Sequence, residues 1–318
     1  MKTSHKRIIT ALAFMASLIA SPVMADDAET GLALFKDSRY AEAFTPLTKA
    51  AKEGHPKAQL ALATLYDKGL GTPRSKPLAT WWYAKAAENG DPTAQFLLAG
   101  KYLQGEDVLQ DNGRAATLYR KAAEQGIAPA SFNLAILYQR GQGVPRDEKQ
   151  ALRWYTEAAA QGQASACAQA GMMHLNGSGT EKNPERAREW FEKGAAQNES
   201  RSQYMLGRLY LEGKSVRKNE KKAFSWFSKS ANNDNARALW QTGHMLENGI
   251  GTTKNEAEAF LFYQKAADAD DAEAQYSLGM MYEHGKGTDK SREKAQEWYN
   301  RAALQGHHKS QDKLINLN

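Results

Sequence analysis

Small, apolar and polar residues recur along most of the chain at the spacing of short helices. Between residues 272 and 306, Ala274, Leu278 and Tyr282 follow one another at four-residue intervals and so share one face of a helix. A glycine-rich segment then interrupts the pattern, and a second apolar face begins at Ala295. Glycine adopts the left-handed conformation that ends a helix at little steric cost. This stretch therefore predicts two helices joined by a glycine turn.

The same two-helix pattern repeats with a constant period. The alanine that precedes the large side chains of the second helix recurs every 36 residues, at Ala79, Ala115, Ala151, Ala187, Ala223, Ala259 and Ala295, and one step back reaches Ala43. A fixed period of about 20–50 residues is typical of solenoids. The sequence thus predicts an extended all-α solenoid in which each unit contacts mainly its neighbours.

Each predicted second helix carries two adjacent large side chains, followed one turn later by small ones. The pairs are Trp82-Tyr83, Leu118-Tyr119, Trp154-Tyr155, Trp190-Phe191, Trp226-Phe227, Phe262-Tyr263 and Trp298-Tyr299. An aromatic stripe at helical spacing beside alanines is typical of a helix–helix interface. We therefore expect these pairs, including Trp154 and Trp298, to be buried between units.

A local excess of positive charge occurs at the N-terminus, and the rest of the chain is nearly balanced. Of 42 basic residues, Lys2, Lys6 and Arg7 lie there, which leaves 39 against 36 acidic residues and gives no reason to expect nucleic acid or an anionic membrane as partner. The three charges precede an apolar run at residues 8–19 and small residues up to Ala25, the pattern of a secretory signal peptide. The run is too short to span a membrane comfortably. We expect cleavage before Asp26 and no lipid anchor.

Residue types that carry catalysis or bind metals form no recognisable motif. The histidines after the signal segment do not recur in one column or pair at metal-ligand spacing; they are His55, His174, His244, His284, His307 and His308. Cys167 lies among alanines without a polarising partner, so we expect a small buried residue rather than a nucleophile. The Gly-x-Gly segments follow helices instead of strands, which favours turns over phosphate loops. The sequence predicts no enzyme activity, no cofactor and no metal site.

The pattern A-x-x-x-L-G-x-x-Y-x-x-G-x-G, followed by A-x-x-W-Y-x-x-A-A-x-x-G, resembles the Sel-one-like repeat (SLR) family, a relative of the tetratricopeptide repeats. In the last unit the match is carried by Ala274, Leu278, Gly279, Tyr282, Gly285, Gly287, Ala295, Trp298, Ala302, Ala303 and Gly306. The resemblance implies a right-handed superhelix of antiparallel helix pairs that acts as an adaptor or scaffold, in exported bacterial members often in the envelope or against host proteins. A cysteine-rich branch has been linked to β-lactam hydrolysis, but this chain lacks its paired cysteines.

The resemblance also implies a concave binding groove lined by the first helices. Positions two before the Leu-Gly column and one after it would face that groove, with Arg201, Arg237, Glu247 and Glu283 on its rim. The candidate binding residues are Phe96, Phe132, Tyr204, Arg208, Trp240, His244, Tyr276 and Met280. The alternative is that these side chains pack against the next helix. Because the sixth unit departs most from the pattern, we expect Trp240 and Tyr276 to be central to the site.

These interpretations divide the chain into a signal peptide (1–25), an N-terminal capping helical hairpin (26–56), seven repeats (57–308) and a C-terminal capping half-repeat (309–318). We expect a non-enzymatic scaffold, in the periplasm or secreted, that binds a protein or peptide partner and has no stable membrane insertion after signal cleavage. Two alternatives remain open: an envelope enzyme that uses a groove histidine or carboxylate, and a protein that binds cell-wall glycans through groove aromatics.

Overall fold

A computed structural model describes residues 22–317, and in this range every regular element is an α-helix. The side chains described are those of residues 27–316. Most of the predicted signal peptide, residues 1–21, lies outside the described residues. The first two helices, α1 (Pro22–Lys36) and α2 (Tyr40–Lys52), form a hairpin closed by a short turn.

Fourteen helices of nearly equal length then alternate as pairs. The first helices of the pairs are α3 (Pro56–Lys68), α5 (Pro92–Gln104), α7 (Ala128–Arg140), α9 (Ala164–Asn176), α11 (Ser200–Glu212), α13 (Ala236–Asn248) and α15 (Ala272–His284). The second helices are α4 (Lys76–Glu88), α6 (Asn112–Glu124), α8 (Glu148–Ala160), α10 (Pro184–Ala196), α12 (Glu220–Ala231), α14 (Glu256–Asp268) and α16 (Arg292–Leu304). A last helix, α17 (His308–Leu317), follows them.

The contacts divide the chain into two compact units, residues 1–98 and residues 99–318. In the first, α2 packs on α3 and α3 on α4, around a core that includes Leu47, Leu62 and Tyr83. In the second, each helix from α6 to α17 packs on the next one in the chain. Its apolar clusters draw residues from neighbouring helix pairs; one joins Ala187 and Phe191 to Met205 and Leu206. The predicted all-α solenoid of helix pairs is therefore confirmed.

Local signals at both helix ends explain the constant helix length. The first helices end at a glycine in the left-handed conformation, with φ between 68° and 79° at Gly69, Gly141, Gly177, Gly213, Gly249 and Gly285. Six of the seven second helices, all except α4, follow a residue whose side-chain oxygen accepts a hydrogen bond from a backbone N–H one turn ahead: Asp111, Asp147, Asn183, Asn219, Asn255 and Ser291. Such caps satisfy backbone groups that the helix leaves unpaired.

The two adjacent large side chains of each second helix differ in burial. The second member of each pair is buried in all seven units, whereas the first member is buried only at Trp82 and Trp154 among the five tryptophans in this position. Trp298 is half-buried, and the Arg301 guanidinium lies 4.5 Å from its ring centroid. The prediction that Trp298 is buried between units is therefore wrong. Adjacent residues on a helix point about 100° apart, so only one of the two can face the partner helix squarely.

A candidate binding surface on the first helices

The eight candidate binding residues lie on five first helices. Seven of them are half-buried and Arg208 is exposed. Phe96 lies on α5 within residues 1–98, and the other seven belong to residues 99–318, where Phe132 is on α7, Tyr204 and Arg208 on α11, Trp240 and His244 on α13, and Tyr276 and Met280 on α15. We call these seven residues of the second compact unit the first-helix surface.

The rings of this surface rest on the buried rings of the second helices. Ring centroids lie 5.4 Å apart for Phe132 and Tyr155, 5.5 Å for Tyr204 and Phe227, and 5.7 Å for Tyr276 and Tyr299. The alternative of packing against a neighbouring helix is thus partly correct: one side of each ring is covered. The remaining accessible part is what a partner can contact.

Trp240 is fixed from two directions. Its ring stacks on His244 one turn later, with centroids 5.4 Å apart and an interplanar angle of 7°, and its indole Nε1 donates a hydrogen bond of 3.1 Å to the Ser277 hydroxyl on α15. His244 is itself positioned by Asn248, whose Nδ2 lies 3.2 Å from the histidine Nδ1. An aromatic side chain held in this way loses little conformational freedom when a partner binds.

Tyr276 occupies the equivalent position one unit later and has a second aromatic neighbour. The His307 ring centroid lies 4.9 Å from the Tyr276 centroid. His307 also lies 3.4 Å from a Glu273 carboxylate oxygen and 2.9 Å, through Nδ1, from the Ser310 hydroxyl. The surface therefore continues from α13 across α15 to the start of α17.

Arg208 takes part in a short charge network at the C-terminal end of α11. Its guanidinium Nη2 lies 2.8 Å from Glu212 Oε1, and Lys214 Nζ lies 2.8 Å from Glu212 Oε2. Burial raises the pKa of Glu212, but hydrogen bonds from Lys214 and Arg208 outweigh it, so the net pKa lies below the ordinary value. Glu212 is therefore ionised at neutral pH and holds both cations in place.

The carboxylates expected on the groove rim have another role. Glu247 accepts hydrogen bonds from the Tyr263 hydroxyl at 3.0 Å and from Lys286 at 3.1 Å. Glu283 accepts from the Tyr299 hydroxyl at 2.5 Å and from Lys313 at 2.9 Å. Burial, and then the bond to Glu283, raise the pKa of Tyr299 well above its ordinary value. These glutamates serve as acceptors for tyrosine hydroxyls of the second helices, so they are not free to bind a partner.

The histidine, cysteine and carboxylate side chains were compared with the requirements of metal binding and nucleophilic chemistry. Among the described residues no group of three or more histidine, cysteine, aspartate or glutamate side chains could hold a metal ion. Cys167 is buried, and burial followed by the nearby Glu199 charge raises the pKa of its thiol. A raised pKa disfavours the reactive thiolate. Within residues 22–317, no helix has the length and apolar character needed to cross a bilayer.

The repeat profile decides the family. The Sel1 repeat matches seven consecutive segments, residues 56–91, 92–127, 128–163, 164–199, 200–235, 236–271 and 272–307. The chain belongs to the Sel1 repeat family. No curated protein sequence matches it.

Two solved Sel1-type structures are similar over most of this Sel1 repeat chain. One is c5321, a protective antigen present in uropathogenic Escherichia coli strains, which is 33% identical with a TM-score of 0.79; the match covers 85% of this chain and 58% of c5321. The other is a Sel1 repeat protein from Oxalobacter formigenes, 26% identical with a TM-score of 0.78, covering 93% of this chain and 87% of that one. The chain thus spans little more than half the length of c5321.

Membership of the Sel1 repeat family has a functional consequence. The Sel1 solenoid is a scaffold typically used for protein–protein interaction, and the comparisons indicate no catalytic family. In a solenoid the extended surface along successive units, rather than a closed pocket, is the usual place of binding. The first-helix surface is of this kind.

Sequence reasoning missed two partners of the candidate residues. Ser277 holds Trp240, and His307 lies against Tyr276. Ser277 and Trp240 are 37 residues apart, one more than the repeat period, so their proximity follows from the stacking of equivalent helices. A search for polar residues directly after the equivalent position of the next unit would have found Ser277. No sequence signal singled out His307.

Proposed function

We propose that this protein is an exported scaffold that binds a protein partner on its first-helix surface. The observation that carries the proposal is the series of half-buried rings at equivalent positions of successive units: Tyr204, Trp240 and Tyr276. Large rings that are positioned by their own fold but keep an accessible side are the side chains most enriched among binding hot spots. Family membership supports the same kind of activity.

The centre of the surface lies at Trp240 and Tyr276. The Trp240 ring is locked by the His244 stack and the Ser277 hydrogen bond, and Tyr276 lies between Tyr299 and His307. These rings add both apolar area and polar neighbours, a combination that suits a peptide segment with mixed side chains. The neighbouring Met280 is half-buried and adds an adaptable apolar contact.

The test is capture of partners from envelope extract by the immobilised mature protein, followed by mass spectrometry. We expect Trp240→Ala with Tyr276→Ala to weaken capture at least tenfold, because truncating a hot-spot ring costs about 2 kcal/mol or more and about 1.4 kcal/mol is already a factor of ten. Unchanged helical circular dichroism would show that the variant is folded. Full capture by the double variant would move the site away from this surface.

Two controls separate binding from structure. Ser277→Ala removes the hydrogen bond to Trp240 while the ring remains, so we expect capture to persist in this variant. Trp81→Ala removes a tryptophan that is 51% exposed on a second helix, outside the proposed surface. If Trp81→Ala lowered capture as much as the double variant, the effect would reflect general loss of exposed aromatic area.

Export is part of the proposal and rests on the N-terminal sequence. Lys6 and Arg7, the apolar run at 8–19 and Ala25 have the order of a signal peptide. We expect the protein recovered from the periplasmic fraction or the medium to begin at Asp26. N-terminal sequencing that finds Met1 on this material would refute cleavage.

A further inference from the structure

One loop of the second compact unit carries an excess of positive charge. Residues 212–222, which span the end of α11, the following loop and the start of α12, contain five basic and two acidic residues; we call this segment the basic loop. Both acids are already in ion pairs of 2.8–2.9 Å, Glu212 with Arg208 and Lys214, and Glu220 with Lys218. Among the described residues, no carboxylate lies within ion-pair distance of the three remaining exposed cations, Arg217, Lys221 and Lys222.

The turn that joins α14 to α15 carries the opposite charge. Residues 268–273, which we call the acidic turn, contain four acidic residues and no basic one. Asp271 caps α15, and Glu273 faces a histidine ring. Asp268 and Asp270 are exposed, and in the part of the chain that the structure describes neither has a cation within ion-pair distance. These two carboxylates are therefore available to another molecule.

The neighbouring segments do not reverse the sign of either charge. The loops on both sides of the basic loop, residues 176–186 and 248–258, together contain three basic and four acidic residues, which offsets one of its three excess positive charges. The turns on both sides of the acidic turn, residues 232–238 and 304–310, contain two basic and one acidic residue besides two histidines. The loop side stays positive and the turn side stays negative.

The basic loop and the acidic turn lie at opposite ends of the helices. The basic loop includes the start of a second helix, α12, whereas the acidic turn lies at the end of a second helix, α14. A helix of 13 residues such as α14 is about 20 Å long. This length exceeds the distance of about 8 Å beyond which exposed charges are largely screened at physiological ionic strength. One copy of the chain therefore cannot neutralise its basic loop with its own acidic turn.

A recess beside the basic loop gives this charge a concave shape. Its volume is about 710 Å³, and Lys218 and Lys221 line it together with Thr252 and Thr253 of the next loop. Its walls thus combine ammonium groups with hydroxyl donors, a set that suits carboxylates. A projecting acidic segment fits such a recess better than an apolar one does.

We propose that the occupant of the basic loop is the acidic turn of a second copy of this chain. The chain itself supplies the complementary charge, and its 39 basic and 36 acidic residues outside the signal segment leave little net charge to keep copies apart. In this contact Lys221 and Lys222 bind Asp268 and Asp270 of the second copy. Because the two contacting segments differ, the contact is head-to-tail, and each copy keeps one segment free for a further copy.

Sedimentation velocity of the mature protein, with no other protein present, tests the contact. We expect the sedimentation coefficient to rise with protein concentration at about 0.02 M salt and to stay constant at about 0.5 M salt, because salt screens exposed charges. A monomer at every concentration in low salt would overturn the inference.

Two variants that each lack one segment test the head-to-tail arrangement. Lys221→Glu with Lys222→Glu disables the basic loop, and Asp268→Lys with Asp270→Lys disables the acidic turn; each variant alone should associate at least tenfold more weakly than the parent protein. An equimolar mixture of the two should form a 1:1 complex, because one variant keeps its acidic turn and the other keeps its basic loop. Absence of a complex in the mixture would refute the contact.

A milder change protects this test against misfolding. Asp270 has a φ of 60°, and asparagine tolerates this conformation. Asp268→Asn with Asp270→Asn should therefore stay folded, as circular dichroism would show, and should still weaken association. Full association of this folded variant would show that the two carboxylates are not used.

Matched variants separate a local contact from an effect of net charge. Lys121→Glu with Lys149→Glu, and Glu124→Lys with Glu157→Lys, make the same changes in net charge at exposed residues of α6 and α8. Both should associate like the parent protein. If they weakened association as much as the variants of the basic loop and the acidic turn, the attraction would be unspecific and the site would be refuted.

This inference does not rest on the proposed function. Self-association is measured without a partner, and capture of a partner depends on Trp240 and Tyr276. If the protein stays monomeric while Trp240→Ala with Tyr276→Ala weakens capture, the head-to-tail contact is wrong and the scaffold function stands.

Discussion

At the scale of single residues, the chemistry of the buried second-helix ring is related to that of the first-helix residue beside it. In three units whose buried second-helix ring is tyrosine, a first-helix residue 16 positions earlier accepts its hydroxyl: Gln139 for Tyr155, Glu247 for Tyr263 and Glu283 for Tyr299. Where the ring is Phe191 or Phe227, the equivalent residue is a leucine that packs against the same cluster, Leu175 or Leu211. A buried hydroxyl without an acceptor destabilises the fold, so an acceptor at this position is needed only where the ring carries a hydroxyl; Tyr119, which has Leu103 there, bonds to Asn133 instead.

A buried histidine on the first helix α9, His174, should make the fold acid-sensitive. It stands where most units have tyrosine; it is buried, and its Nδ1 has no hydrogen-bond partner. Burial, followed by the nearby Arg186 charge, lowers the pKa of His174. The folded protein therefore binds fewer protons than the unfolded chain as pH falls below about 6.5, the ordinary histidine value, and stability falls with it.

We expect His174→Tyr to reduce the loss of stability between pH 7.5 and pH 5, because the variant lacks the group that is held neutral in the folded protein. Tyrosine does not titrate in this range, and Tyr210 one unit later lies under Lys222, with 5.2 Å between Nζ and the ring centroid. Urea unfolding at the two pH values measures the effect. His284→Tyr, at an exposed residue, is the control. If His174→Tyr lost as much stability between pH 7.5 and pH 5 as the parent protein, other groups would cause the acid sensitivity.

At the scale of elements, the glycine loops hold successive units at close distance. Gly251 has a φ of 67°, and any Cβ there would meet backbone of α12. We expect Gly251→Ala to destabilise the protein by more than the roughly 1–2 kcal/mol that a left-handed conformation costs a residue with a Cβ atom. Thermal and urea unfolding measure this difference.

Gly162→Ala provides the matched control for that loop. Gly162 has a φ of 92°, but nothing lies within 4 Å of the position that its Cβ would take. This variant therefore carries the conformational strain without the backbone clash. If Gly251→Ala and Gly162→Ala lowered stability equally, close packing between loop and helix would contribute nothing.

The elements were predictable because each repeats the same local signals. The left-handed glycine at the end of α13, Gly249, was visible in the sequence as part of a column with a 36-residue period. The N-cap column of the second helices, such as Asn219 and Asn255, is equally periodic and marks the other end of the loop. What period alone could not decide was which of two adjacent rings faces inward, and the half-buried Trp298 shows this failure.

The candidate surface was predictable in position but not in detail. The period placed Trp240 and Tyr276 on equivalent faces of α13 and α15, and they lie there. Contacts that differ from unit to unit, such as the Ser277 hydrogen bond and the His307 ring, depend on side-chain geometry that a repeat pattern does not encode.

At the scale of the molecule, stability should be distributed along the chain rather than held in one centre. In the second compact unit each helix packs chiefly on the preceding and following helices, and the apolar clusters are local: Phe227 belongs to one with Ala223 and Met245. The stability of such a chain is approximately a sum of repeat and nearest-neighbour contributions. A defect in one unit should therefore loosen that unit and its neighbours and leave distant helices protected.

The adjacent pair Trp226 and Phe227 allows this property to be tested. Phe227 is completely buried, so Phe227→Ala should destabilise the protein by about 3–5 kcal/mol. Trp226 is half-buried under Lys229, whose Nζ lies 4.3 Å from the ring centroid. We expect Trp226→Ala to cost less, with the lost cation–π contact itself contributing about 0.5–1 kcal/mol. Native-state hydrogen exchange should show faster exchange in α11, α12 and α13 of Phe227→Ala, and unchanged exchange in α6 and α7. A uniform increase across all helices would instead identify one cooperative core, and local stacking between neighbouring units would not govern stability.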